Sequence, residues 1–260
     1  MSKRSLCVVA GLCGLIMLAL CAVPSRAQSS EVKDKPPMYS YVADWQIPRS
    51  HWADLAKATA ADNAILEKAL ADGTIVGYGN DENLVHQPDT ETHDNWWSAM
   101  SLAGLIKVLD QFYASGNTTS DPLASATKHW DMILVSHYYN WHSGAYKNAY
   151  THVGSYRLKA DAPDDAIDTM CKTLVVPLME KLLADGTIIE YEVDTQAIHT
   201  EAPGSFSIIY LASKPEGLDK AQAAVVDALK AQPLAGPAFG SMTETSAHRD
   251  ELARGEGKYK

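Results

Sequence analysis

Leu66-Glu67-Lys68-Ala69-Leu70-Ala71-Asp72-Gly73-Thr74-Ile75 returns as Met179-Glu180-Lys181-Leu182-Leu183-Ala184-Asp185-Gly186-Thr187-Ile188, 113 residues further along the chain. The match runs on without a gap through Tyr78/Tyr191 to His86/His199. A helix end, a glycine turn and a strand do not recur together by chance, and solenoid repeats have periods of only about 20–50 residues. The chain is therefore a duplicated module.

Working outward from this stretch, Gly73 is the residue favoured just past a helix end. Upstream, Trp52, Leu55, Ala56, Thr59, Ile65, Leu66, Ala69 and Leu70 keep helical spacing, with Ser50 as the predicted N-cap. Before that helix, Tyr39, Tyr41, Ala43 and Trp45 alternate as on a strand. Downstream, residues 74–78 read as a strand, 80–91 as a polar loop, 95–101 as a second strand, and Leu102, Leu105, Ile106, Leu109 and Phe112 as a helix. Residues 129–139 form a strand that is apolar on both faces. The second copy repeats this order: strand 152–158, helix 161–185 with a kink at Pro177, strands 188–193 and 206–212, and a helix carrying Leu218, Ala221, Val225 and Leu229. Residues 233–260 read as a tail with a short polar helical piece over 248–254.

Each copy is thus β-α-β-β-α, with an extra strand after the first copy. This is an α+β arrangement of the split βαβ, ferredoxin-like kind. One such unit leaves one sheet face open, and two copies can close those faces against each other. In element order and repeat, residues 39–231 resemble the dimeric α+β barrel superfamily in a fused, single-chain form. The resemblance rests on no catalytic motif. It implies modules at 39–145 and 146–232, a linker at 28–38, and a ligand space between the two sheets. Members of that superfamily include small-molecule monooxygenases, haem-dependent enzymes and polyketide cyclases, so the fold alone does not choose a reaction.

The first 27 residues have the pattern of a secretory signal: basic Lys3 and Arg4, an apolar core from Cys7 to Val23, and Ser25-Arg26-Ala27 before the cut. The expectation is an exported, periplasmic or extracellular protein starting at Gln28. An uncleaved anchor, or a lipid on Cys21, is the alternative. Losing Lys3, Arg4 and Arg26 takes the net charge from −10 to −13. Such an acidic chain lacks the basic face that nucleic acid or an anionic membrane requires. Only Cys171 remains of four cysteines, so no intrachain disulfide forms and the core must hold the fold. Fusion removes the need to dimerise for barrel closure, so a monomer or weak homo-oligomer is expected.

Four clusters could carry chemistry. His86 and His199 occupy equivalent positions in the two copies, either as paired ligand-binding groups or as loop residues kept by shared descent. His93-Asp94-Asn95-Trp96-Trp97 combines an imidazole beside a carboxylate, a candidate catalytic base with its orienting partner, with two indoles as an apolar wall. The second copy lacks these residues, which is the asymmetry a single active site would show. His137, Tyr139 and His142 sit at the end of the 129–139 strand, with His137 the catalytic candidate, either around a pocket mouth or at a domain junction. Arg249 in the tail would add a cation over the pocket, or belong to a solvated terminus. No zinc or haem-attachment motif, Gly-x-Ser-x-Gly elbow or phosphate-binding loop is present. The expectation is a small, largely apolar or aromatic ligand handled without a cofactor, with haem or a metal as the lesser alternative. If the protein is an enzyme, oxygenation or proton transfer on an activated carbon acid is expected. If not, it binds a ligand without turnover.

Overall fold

A glycine turn organises each copy. Gly73 follows helix α1 (Trp52–Asp72) with φ 79°, and its N–H donates to the Ala69 and Leu70 carbonyls. Gly186 follows α4 (Val176–Ala184) by two residues with φ 74°. Both φ values lie in the left-handed region that glycine adopts without a Cβ clash. Just beyond each turn the strand is tied back to its helix. The Tyr78 hydroxyl donates to Glu67 Oε1 at 2.7 Å, and Tyr191 donates to Glu180 Oε1 at 2.7 Å. The duplication is therefore kept down to single hydrogen bonds. The computed structural model describes residues 35–119 and 121–260. The predicted signal and all but the end of the linker lie outside the described residues.

The strands are β1 (Met38–Gln46), β2 (Gly77–Asn83), β3 (His93–Ala99), β4 (Lys128–Trp141), β5 (Gly144–Arg157), β6 (Glu190–Gln196), β7 (Ser205–Ala212) and β8 (Arg249–Tyr259). They close into one barrel in the order β1-β3-β2-β8-β5-β7-β6-β4. Every pairing is antiparallel. Read by halves, the order is β4-β1-β3-β2 and then β8-β5-β7-β6, the same arrangement twice. The halves join where β2 meets β8 and β4 meets β6. The fold is a fused dimeric α+β barrel of two ferredoxin-like modules. The helices α1, α2 (Leu102–Ser115), α3 (Ala166–Met170), α4 and α5 (Pro215–Ala231) cross over between strands, and α6 (Ala235–Met242) leads toward β8.

The chief correction concerns the chain end. Residues 249–259 are neither a tail nor a helix. They form β8, the fourth strand of the second module and the counterpart of β4, so the second module runs past 232 to the end of the barrel. Residues 80–83, expected in a loop, continue β2. Helix α1 starts slightly later than predicted, with His51 rather than Ser50 at its N-cap. The helix expected over 161–185 begins at Ala166 and widens into a π-turn over Cys171–Val175. The π-turn ends two residues before Pro177, which has no N–H to donate and crowds the carbonyl four residues back, inside that turn.

Outward strand residues pack beneath the helices as two separate cores. One is built on Tyr41, Trp45, Leu66, Ile75, Trp97, Leu105 and Phe112, the other on Met170, Leu182, Ile188, Tyr191, Phe206 and Tyr210. Cys171 is buried in the second core, which pushes its thiol pKa up to about 12, so it is an inert packing residue. A third cluster lies inside the barrel. Tyr146, Leu211 and Tyr259 pack with Trp96 and Trp141 and plug one end.

Candidate functional site

Side chains alternate across a strand, so a closed barrel turns every second residue inward. The inward set encloses a cavity of about 560 Å³ above the aromatic plug. The loops at 89–91 and 201–205 and the approach to β8 at 246–249 line its other end, which is the mouth. Val42, Met132, Leu134, Val153, Ile209 and Trp96 supply apolar wall. The rest of the lining is unusually acidic.

Asp44, Asp94 and Asp81 lie directly opposite one another on three neighbouring strands, β1, β3 and β2. Adjacent strands lie about 4.8 Å apart, and like charges placed opposite each other repel. Three carboxylates in such a row cannot all be ionised. Burial first, then the neighbouring carboxylates, push Asp44 and Asp94 well above the usual carboxylate range. Asp81 is raised by burial only to about 6, because the Trp96 indole and the Thr151 hydroxyl donate to it at 3.0 and 3.2 Å. On the facing side, Glu190, Glu192 and Asp194 project from alternate positions of β6. Burial and mutual repulsion raise Glu190 and Glu192 well above normal. Asp194 reaches about 7 and Glu251, on β8, about 8, both mainly through burial. Among the described lining residues the cations are Arg157 and Arg249, both near the mouth.

The structure sorts the predicted residues by strand parity. Asp94 and Trp96 face the cavity, and Arg249 stands at its mouth. His93 does not join them. It lies on the outer face of β3, edge-on to Trp52 with ring centroids 5.1 Å apart, with Nδ1 3.0 Å from the Thr92 hydroxyl. Consecutive strand residues point to opposite faces, so the expected His93–Asp94 pair does not form. Trp97 is likewise outward, 1% exposed and stacked on Tyr41 at 4.4 Å, a core residue rather than a ligand wall. His137 is exposed at a bulge in β4, so it too misses the cavity. Tyr139 packs at the plugged end, its hydroxyl donating to the Pro36 carbonyl at 2.8 Å. His142 lies 2.8 Å from the Leu183 carbonyl through Nε2. His86 and His199 sit on equivalent loops, and neither is among the described residues lining the barrel cavity.

Apart from Asp94, the interior acids were missed; those of β6 stand at every second position, which reads as a solvent face. The one available signal was Glu190-Tyr191-Glu192-Val193-Asp194, whose opposite face is apolar. Haem does not fit this lining. No histidine is among the described residues around the cavity to serve as its usual axial ligand, and its anionic propionates would face carboxylates. Among the described residues no three His, Cys, Asp or Glu side chains gather to hold a metal ion. No helix among the described residues is long and apolar enough to cross a membrane.

No protein-family model and no curated protein matches the sequence. Solved structures do. A candidate monooxygenase from Lactobacillus acidophilus NCFM superposes with a TM-score of 0.61 at 11% identity, covering 85% of this chain and 94% of its own. A second candidate monooxygenase, from Fusobacterium nucleatum, gives 0.58 at 7% identity, covering 86% and 94%. A candidate chlorite dismutase gives 0.46 at 12% identity over 84% and 94%. At these identities the likeness is one of fold.

Proposed function

We propose that this protein takes a small, largely apolar or aromatic molecule into its barrel and transfers protons on it, using the aspartate row as acid and base. The observation that carries the reading is the direct opposition of Asp44, Asp94 and Asp81 around an enclosed cavity. Environments that push neighbouring carboxyl groups apart in pKa create an acid–base pair. Two donors favour the ionised form of Asp81, whereas burial and the neighbouring carboxylates favour the protonated form of Asp94. The Asp81 carboxylate would accept a proton from an activated C–H, and Asp94 would donate to the oxygen on which charge develops. Deprotonation of a carbon acid is also the opening step of cofactor-independent oxygenation, and the fold shared with candidate monooxygenases supports that branch. Trp96 plays two parts, as cavity wall and as the donor that keeps Asp81 charged.

We further propose that the protein works in the cell envelope, on the strength of its signal-like first 27 residues. The test is deuterium uptake in D₂O by a panel of aryl ketones and β-dicarbonyl compounds, followed by NMR. Uptake faster than in buffer, and lost in Asp94→Asn, is expected. Uptake at the buffer rate, or unchanged in that variant, refutes the acid–base role and leaves a binding protein without turnover.

A further inference from the structure

The two copies differ at one position in a way that points to a ligand. Asp81 and Asp194 are equivalent in the repeat and in the barrel, each inward near the end of the second strand of its module. In the first copy both Asp81 oxygens are occupied, Oδ2 by Trp96 and Oδ1 by Thr151. Strand registers show what changed. Gly79 pairs with Trp96 in the first copy, and Glu192 pairs with Ile209 in the second. Ile209 therefore stands where Trp96 would stand, and an aliphatic chain donates nothing. Asp194 is 1% exposed, and neither of its oxygens meets a donor in hydrogen-bond geometry; the nearby Ser136 hydroxyl lies close enough to ease its burial but does not point at it. The neighbouring Ser136 hydroxyl donates instead to the Val193 carbonyl at 2.8 Å. Glu192, beside it on the same face, leaves Oε2 unpartnered as well. Burying such groups unpaired is costly, and more so when they are charged.

We infer that Asp194 and Glu192 anchor a protonated nitrogen, and that the ligand of this cavity is a primary or secondary amine on an apolar or aromatic body. An ammonium supplies two or three donors and one positive charge, which meets the open oxygens and offsets repulsion along β6. Ile209, Val153 and Met132 offer the rest of the molecule an apolar surface. The aspartate row lies on the far strands, so anchor and acid–base groups are separate. This inference rests on the ligand-binding reading above and names its substrate class.

The experiment is calorimetric titration of the purified protein with 2-phenylethylamine hydrochloride, 2-phenylethanol, phenylacetate and calcium chloride. The amine is expected to bind at least about ten-fold more tightly than the isosteric alcohol, a difference near 1.4 kcal/mol, with phenylacetate weakest. Asp194→Asn should bring the amine down to the level of the alcohol, and Glu192→Gln should weaken it in part, while exposed Asp227→Asn leaves it unchanged. Alcohol binding equal to amine binding overturns the inference yet leaves the ligand cavity standing. Binding of calcium without preference for the amine overturns it in favour of a metal. No binding of any probe counts against the amine class and the ligand cavity together. If Asp194→Asn fails to fold, the amine-to-alcohol ratio and Glu192→Gln decide the matter.

Discussion

Replacing Asp194 by asparagine should make the protein more stable at alkaline pH and leave it nearly unchanged at acid pH. The carboxyl rises from 3.8 in the unfolded chain to about 7 in the fold. The native state therefore holds the proton more tightly than the unfolded state. Between pH 4 and pH 7 it binds more protons, and stability falls as pH rises. A rise of this size corresponds to about 4 kcal/mol lost above the folded pKa. The load is shared, because Glu190 and Glu192 on the same strand are coupled to Asp194, and Asp81 acts on Glu190 from across the cavity. The strands flanking β6 present only Ser136 and Ser207 at this level. Because these carboxyls titrate together, replacing one should recover only part of this loss, about 2 kcal/mol. For a domain of this size that is about 4–8 °C in Tm. Scanning calorimetry from about pH 3 to 8.5, a window that brackets both pKa values, should show the wild-type Tm falling with pH above about pH 4 and the Tm of the Asp194→Asn variant falling less. The two curves should meet at the acid end and separate by that margin at the alkaline end. Parallel curves would refute the argument, because they would mean that Asp194 titrates as it does in water.

Gly79→Ala should cost about 1–3 kcal/mol by overpacking, because a Cβ there would lie 2.7 Å from the Trp96 ring and from the Tyr146 hydroxyl oxygen. An unshifted denaturant midpoint would contradict that packing. Trp96→Ala should weaken binding of the amine probe, since it removes cavity wall and the donor to Asp81. His93→Ala should not, since its ring lies against Trp52 outside the barrel. Equal losses in the two variants would count against the assignment of faces. Removing residues 249–260 should abolish cooperative unfolding seen by circular dichroism, because β2 and β5 would lose the strand that joins them. A truncated chain that still melts sharply would show that the barrel does not need β8.

Much of the fold is legible in the sequence. The 113-residue repeat, the glycine turns after α1 and α4, and the alternation in β1 each follow from local rules of spacing and capping. The apolar face under each helix is equally local, since Tyr191 and Val193 must be covered by something. The chain end is different. Its alternation of charged and small residues, from Arg249 to Gly257, reads as a solvated segment because no residue in it has an apolar partner nearby in sequence. Its partners, β2 and β5, lie far away along the chain. The glycines that make it look flexible are what let it pass close to β2, where a Cβ on Gly255 or Gly257 would collide with the β2 backbone.

For the site, the sequence by itself determined which residues share a strand face: Glu190, Glu192 and Asp194 on one side, Tyr191 and Val193 on the other. It also placed Asp81 and Asp194 at equivalent positions. Only closure of the barrel decided that the polar faces look at one another across a cavity instead of at water. The period of two is the same for a solvated face and an enclosed one, and enclosure depends on the β2–β8 and β4–β6 pairings. That closure gives Asp194 its raised pKa, pairs Asp81 with an indole from the next strand, and turns His93 away from the site.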